Sequence, residues 1–133
     1  MEGKEDPDNR RFFPSDAFRV DGRKLKEREM FDWTRTWIRL RREHAAMRAG
    51  KLIDLFYDDE SYVFARQLSA ETIIVAFNRE DKQKQVTIPA GSIGLKDGVT
   101  LKSLIGGDTS SRITNGVATL ALPAQTAIAF GTF

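Results

Sequence analysis

The chain is predicted to be mainly β: an antiparallel two-sheet β-sandwich of about eight short strands, preceded by an irregular loop and one long amphipathic α-helix. Three observations predict it. From residue 51 onward apolar residues recur with period two, in short runs rich in β-branched and aromatic types. Turn-forming clusters punctuate those runs: Asp58-Asp59-Glu60, Asn78-Arg79-Glu80-Asp81, Asp97-Gly98, Gly106-Gly107-Asp108 and Asn115-Gly116. Before residue 50 the period is that of a helix, because Met30, Trp33, Trp37, Leu40, His44 and Met47 follow a 3-4-3-4-3 spacing along one face.

The elements follow in order. Pro7, Pro14 and the pair Asp21-Gly22 frame irregular chain up to residue 23, and Pro14-Ser15-Asp16-Ala17-Phe18 fits one helical turn capped by Ser15. Residues 24–49 read as a single helix, with Phe31, Ile38 and Ala45 widening its apolar face and Arg39–Glu43 as an i,i+4 pair. Gly50 stands where a left-handed C-cap is expected, and Arg48 and Lys51 suit the negative end of the helix dipole. The expected strands are Leu52–Phe56, Tyr62–Leu68, Thr72–Asn78, Gln85–Ile88, Val99–Ser103, Arg112–Thr114, Val117–Leu122 and Ala127–Gly131. Asn115-Gly116 predicts a two-residue type I′ hairpin. Two domains are expected, 1–50 and 51–133.

Composition narrows the function classes. The 133 residues are 41% hydrophobic with a net charge of +2, enough for one packed core. Acidic and basic residues alternate rather than segregate, so no nucleic-acid partner is expected. Cysteine is absent, which excludes a disulfide framework or a cysteine metal site and leaves the compartment open. No apolar run approaches the roughly 18 residues of a spanning helix, so no membrane partner is expected. The stretch from Glu2 to Arg11 is charged, unlike a signal peptide.

Individual side chains offer little chemistry. His44 is the only histidine and lies near a helix C-terminus, where an imidazole is favoured by the dipole and commonly structural. Asp58, Asp59 and Glu60 lack the alternating spacing of a calcium loop and read as a solvated turn. Arg35, Arg39 and Arg42 form a basic stripe that Asp32 and Glu43 interrupt. No metal site and no cofactor is expected. Asp6 and Asp8 are the right types for a glycosidase pair, which must flank one bond, yet no scaffold of their own fixes their separation. No catalytic residue is therefore assigned.

Four segments carry a family resemblance. Asp6-Pro7-Asp8-Asn9-Arg10-Arg11, continued by Phe13-Pro14-Ser15-Asp16-Ala17-Phe18, resembles the segment after the last barrel strand in the α-amylase superfamily, in its neopullulanase and cyclomaltodextrinase branch. Leu40-Arg41-Arg42-Glu43-His44-Ala45-Ala46-Met47-Arg48-Ala49-Gly50 resembles the end of that family's last barrel helix, with Ala45 and Met47 where proline and leucine are frequent. Tyr62-Val63-Phe64-Ala65-Arg66 and Ile74-Val75-Ala76-Phe77-Asn78 look like the first strands of its C-terminal sandwich.

The resemblance implies a subsite loop and last helix of a catalytic barrel at 1–50, and a C-terminal sandwich at 51–133. It implies a parent that acts on α-glucans or cyclodextrins by a retaining mechanism, with its catalytic acids on earlier strands. By family position Asp6 and Arg10 would line sugar subsites, where an arginine fork suits hydroxyl recognition. Partners would be the glucan and the barrel that this chain lacks. Without that barrel, Trp33, Trp37, Leu40 and Met47 need another cover, so self-association through the helix is expected. The alternatives are a stand-alone carbohydrate-binding module, against which the few candidate aromatics Tyr57, Tyr62 and Phe64 count, and a protein-interaction module docking through the helix.

Overall fold

The computed structural model describes residues 15–16, 18–19 and 21–132. They fall in two compact units, Met1–Thr36 and Trp37–Phe133. The loop carrying Asp6, Asp8 and Arg10 lies outside the described residues, as does part of the turn expected at 14–18.

In the first unit, Arg19 N–H donates to the Asp16 carbonyl (2.9 Å) and Gly22 N–H to the Arg19 carbonyl (3.3 Å), forming consecutive turns. Helix α1 (Leu25–Glu43) then begins. Its start is fixed by the Glu27 carboxylate, which accepts from Lys24 N–H at 2.9 Å and satisfies a donor ahead of the first turn. Thr34 and Thr36 turn their hydroxyls back to the carbonyls of Met30 and Asp32.

The second unit starts with the end of α1. The sequence predicts one helix to Ala49, but the helix breaks at His44, whose backbone is extended (φ −106°, ψ 114°), and restarts as α2 (Ala45–Ala49). The break is held from outside. One oxygen of Glu71 lies 2.7 Å from His44 Nδ1, and the other accepts from Ala46 N–H at 2.6 Å. Gly50 also differs from expectation. It is extended (φ −67°, ψ 152°), not left-handed. Glycine is required by close approach instead: a Cβ there would lie 2.5 Å from the Ala46 carbonyl oxygen and 2.9 Å from Gln67 N.

Eight strands follow: β1 (Lys51–Tyr57), β2 (Ser61–Leu68), β3 (Glu71–Asn78), β4 (Lys84–Ile88), β5 (Thr100–Ile105), β6 (Ser110–Arg112), β7 (Ala118–Leu122) and β8 (Thr126–Thr132). They form a six-stranded sheet, β1-β2-β3-β8-β5-β6, and a two-stranded sheet, β4-β7. Every pairing is antiparallel. The expected sandwich forms, with seven strands within two residues of their expected bounds; the strand expected at Arg112–Thr114 runs instead over Ser110–Arg112, where it pairs with β5, and Thr114 only bridges to Val117 across the turn.

Alternation decides what is buried. Val63 and Ala65, Ile74 and Ala76, Ile128 and Phe130 point inward and meet Val86, Ile88, Leu120 and Leu122 of the smaller sheet. Asn78 is buried at 3% and joins the two sheets. Its amide donates to the carbonyls of Lys82 (2.9 Å), Leu122 (3.3 Å) and Pro123 (2.9 Å), and its oxygen accepts from Glu80 N–H (3.0 Å). The Asn115-Gly116 turn forms with positive φ at both residues (52° and 74°), closed by paired bonds between Thr114 and Val117 (3.0 and 3.1 Å). It does not continue as a hairpin. The preceding β6 pairs with β5 and the following β7 with β4, so the turn hands the chain from one sheet to the other.

Candidate functional site

The outer face of the six-stranded sheet is where the chain's unusual residues gather. β3 is buried on both sides: Ile74 and Ala76 face the sandwich core, while Ile73 and Val75 face outward. The outward residues join Ala129 of β8 and Ile105 of β5 in a second apolar cluster with Leu40 and Ala46, and Trp37, Met47, Phe64, Leu68 and Leu104 pack around it. The end of α1 and α2 therefore lie on this face as a cover.

Polar bonds fasten the cover down. The Glu71 carboxyl is held below its usual range, first by the N–H of Ala46 and then by His44. Arg48 donates to the carbonyls of Arg41 (3.0 Å) and Arg42, closing the end of α1, and Arg41 in turn donates to the Met47 carbonyl. Arg66 of β2 reaches the Ala46 carbonyl at 3.4 Å. His44 is thus part of a structural clasp.

Along the same face the cover ends and aromatic residues continue. Tyr57 of β1, Tyr62 of β2 and Phe77 of β3 are cross-strand partners in one row, with Phe64 two residues along from Tyr62. The Phe64 ring stands 5.2 Å from that of Tyr62 and 6.2 Å from that of Phe77. Tyr57 is 79% and Phe77 43% exposed. The Tyr62 hydroxyl donates to Asp54, which pushes its pKa up. Sequence reading named Tyr57, Tyr62 and Phe64 but not Phe77, whose place in the row depends on strand register.

The acidic turn is occupied by its own neighbours. Asp58 accepts from the N–H groups of Glu60 (3.0 Å) and Ser61 (2.7 Å) and from Lys84 Nζ (2.7 Å). Lys84 holds the Asp58 carboxyl below its usual range, and Arg79 does the same for Glu60. Among the described residues no group of three or more His, Asp or Glu is placed to hold a metal. Arg35, Arg39 and Arg42 are exposed. Among the described residues no helix is long and apolar enough to cross a membrane.

The four residues assigned to an interface separate. Leu40 is 5% exposed, buried by this chain's own sheet, with Trp37 and Met47 half-buried against the same cluster. Trp33 is 37% exposed. Asp6 and Arg10, the residues assigned to sugar subsites, lie outside the described residues.

Comparison with known proteins fits this architecture. The amylopullulanase of Thermoanaerobacterium saccharolyticum is 27% identical over 139 aligned positions, which cover 96% of this chain and 10% of that protein. An α-amylase of Anoxybacillus superposes with a TM-score of 0.79 at 30% identity, covering 99% of this chain and 26% of that one. The α-amylase of Geobacillus thermoleovorans, solved with acarbose, superposes with a TM-score of 0.80 at 27% identity, covering 100% of this chain and 27% of that one. The chain thus spans about a tenth of the curated relative it matches and about a quarter of the solved α-amylases. Residues 50–130 match the family model of the α-amylase C-terminal domain, and the chain belongs to that family.

Proposed function

We propose that this chain is the C-terminal part of an α-glucan-acting glycoside hydrolase of the α-amylase, neopullulanase or cyclomaltodextrinase type, supporting the catalytic barrel without being catalytic alone. The observation that carries the reading is that similarity to two α-amylases runs over 99% and 100% of the chain, helix included, rather than over the sandwich only. On this reading residues 1–50 are the end of the barrel, residues 51–133 are the sandwich domain, and Asp6 and Arg10 serve sugar subsites once the barrel surrounds them.

The two-sided β3 supports the reading. The end of the barrel's last helix uses the outer face of the sheet as its core, so the sandwich acts as a brace for that helix. The exposed apolar residues Leu25, Met30, Phe31 and Ile38 suit contact with barrel elements that precede this segment. In the isolated chain the exposed Met30 and Phe31 offer a surface for self-association. Association through Leu40 would first have to open the packing described above.

The test is an assay of the purified chain and of the product of the complete open reading frame that contains it, on maltodextrin and cyclodextrin. Hydrolysis by the complete product and none by the chain is expected. Hydrolysis by the chain alone contradicts the reading.

A further inference from the structure

The Asn115-Gly116 turn carries a latent reactivity. Asparagine is a thermolabile residue, above all before glycine. The glycine nitrogen attacks the asparagine side-chain Cγ, the side-chain nitrogen leaves as ammonia with the displaced proton, and a cyclic succinimide forms. Water then opens either ring carbonyl. One opening gives aspartate, the other isoaspartate, in which the backbone runs through the side chain and is longer. We infer that Asn115 is a deamidation site that the fold holds shut, with the Asp97 carboxylate as the clamp.

The geometry ties up the nucleophile. Gly116 N–H donates to Asp97 Oδ1 at 2.8 Å, and Asn115 N–H donates to Asp97 Oδ2 at 3.0 Å. Cyclisation requires the Gly116 nitrogen to leave Asp97 and turn toward the Asn115 side chain. It also requires that nitrogen to give up its proton, and a carboxylate beside it disfavours the negative charge that would build there. Hydrogen bonds to an ionised acceptor are the stronger class, so the two amides are held firmly. The neighbouring backbone is pinned as well. The Gly116 carbonyl accepts from Gly91 N–H at 2.7 Å, and Thr114 and Val117 bridge each other across the turn.

The protection is reciprocal. Asp97-Gly98 is itself an Asx-Gly pair, open to the same cyclisation with loss of water. Its nucleophile, Gly98 N–H, donates to the Ile113 carbonyl at 2.9 Å, while its carboxylate is held by the turn. Two reactive pairs thus immobilise each other. Asn115 is exposed, so water reaches any succinimide that forms. The consequence of failure is structural, because this turn passes the chain from β6, paired with β5, to β7, paired with β4. A longer backbone there breaks the fit of Gly116 against Gly91, where a Cβ on Gly91 would already lie 3.2 Å from Gly116 Cα.

The experiment incubates the 133-residue chain at mildly alkaline pH, folded and in urea, and follows residue 115 by peptide mapping that separates asparagine, aspartate and isoaspartate. Asn78, whose side-chain amide donates to three carbonyls, is the internal control in the folded chain. Conversion of Asn115 is expected to be slow in the folded wild type and fast in urea. In Asp97→Ala, shown to be folded by circular dichroism, conversion is expected to be roughly tenfold faster than in the folded wild type. Wild-type conversion as fast folded as in urea overturns the inference. So does a folded Asp97→Ala that converts at the wild-type rate. Where Asp97→Ala does not fold, hydrogen exchange at the Gly116 amide of the wild type decides: slowed exchange supports the clamp, and exchange at the rate of an unstructured peptide overturns it.

Discussion

Glu71 holds both sides of the helix break with one carboxylate, and its loss should be measurable. Removing a side chain that caps a helix start costs about 1 kcal/mol, so Glu71→Ala should lower the melting temperature by a few degrees without changing the fold. The pH dependence has a definite sign. The folded-state pKa of Glu71 is lowered, so its contribution is present above the ordinary glutamate value of about 4.3 and is lost as pH falls through the lower folded value. Melting curves of wild type and Glu71→Ala should therefore differ at pH 7 and converge in strong acid; a gap that persists there would show that the carboxylate charge is not what is lost. Gly50 gives a second test. A left-handed cap would tolerate asparagine, but the observed glycine is extended with a backbone oxygen 2.5 Å from any Cβ. Both Gly50→Asn and Gly50→Ala should destabilise, and a neutral Gly50→Asn would restore the capping role that the sequence suggests.

At the scale of the element, β3 is the strand that contributes to both apolar clusters, with Ile74 and Ala76 in one and Ile73 and Val75 in the other. Leu40→Ala should cost about 2–5 kcal/mol, the usual range for emptying a packed apolar site, as measured by chemical denaturation. A chain beginning at Lys51 keeps the inner core between the sheets intact and should still unfold cooperatively, at a lower temperature than the whole chain, since Ile73, Val75 and Ala129 lose their cover. No cooperative transition in that chain would show that the helix is part of the folding unit. Seven strands were legible in the sequence because half-buried strands alternate, and the continuous apolar run Ile73–Phe77 is the trace of two-sided burial; the short polar β6 carries no such pattern. The break at His44 was not legible. The helical spacing runs straight through it, and the carboxylate that holds it comes from 27 residues further along. Asn115-Gly116 was legible as a turn, since turn chemistry is local, but the sheets it joins are a tertiary outcome. In the same way the aromatic row needs the register of three strands, which period-two patterning alone does not supply.

For the whole molecule, the proposed role is that of a brace for the end of a catalytic barrel. The subsite assignment of Asp6 and Arg10 came from a motif, while the supporting role comes from how the sheet is covered on its outer face. Light scattering on the isolated chain should show whether the exposed helix residues drive association: Met30→Glu should shift any oligomer toward folded monomer, and a wild type that is monomeric at every concentration would rule out association. The most direct test of the central claim is turnover of maltodextrin and cyclodextrin by the purified 133-residue chain, set beside the complete gene product. Release of reducing sugar at the buffer rate by the chain and rapid hydrolysis by the complete product are expected. Turnover by the chain itself, abolished by Asp6→Asn or Asp8→Asn, would contradict it.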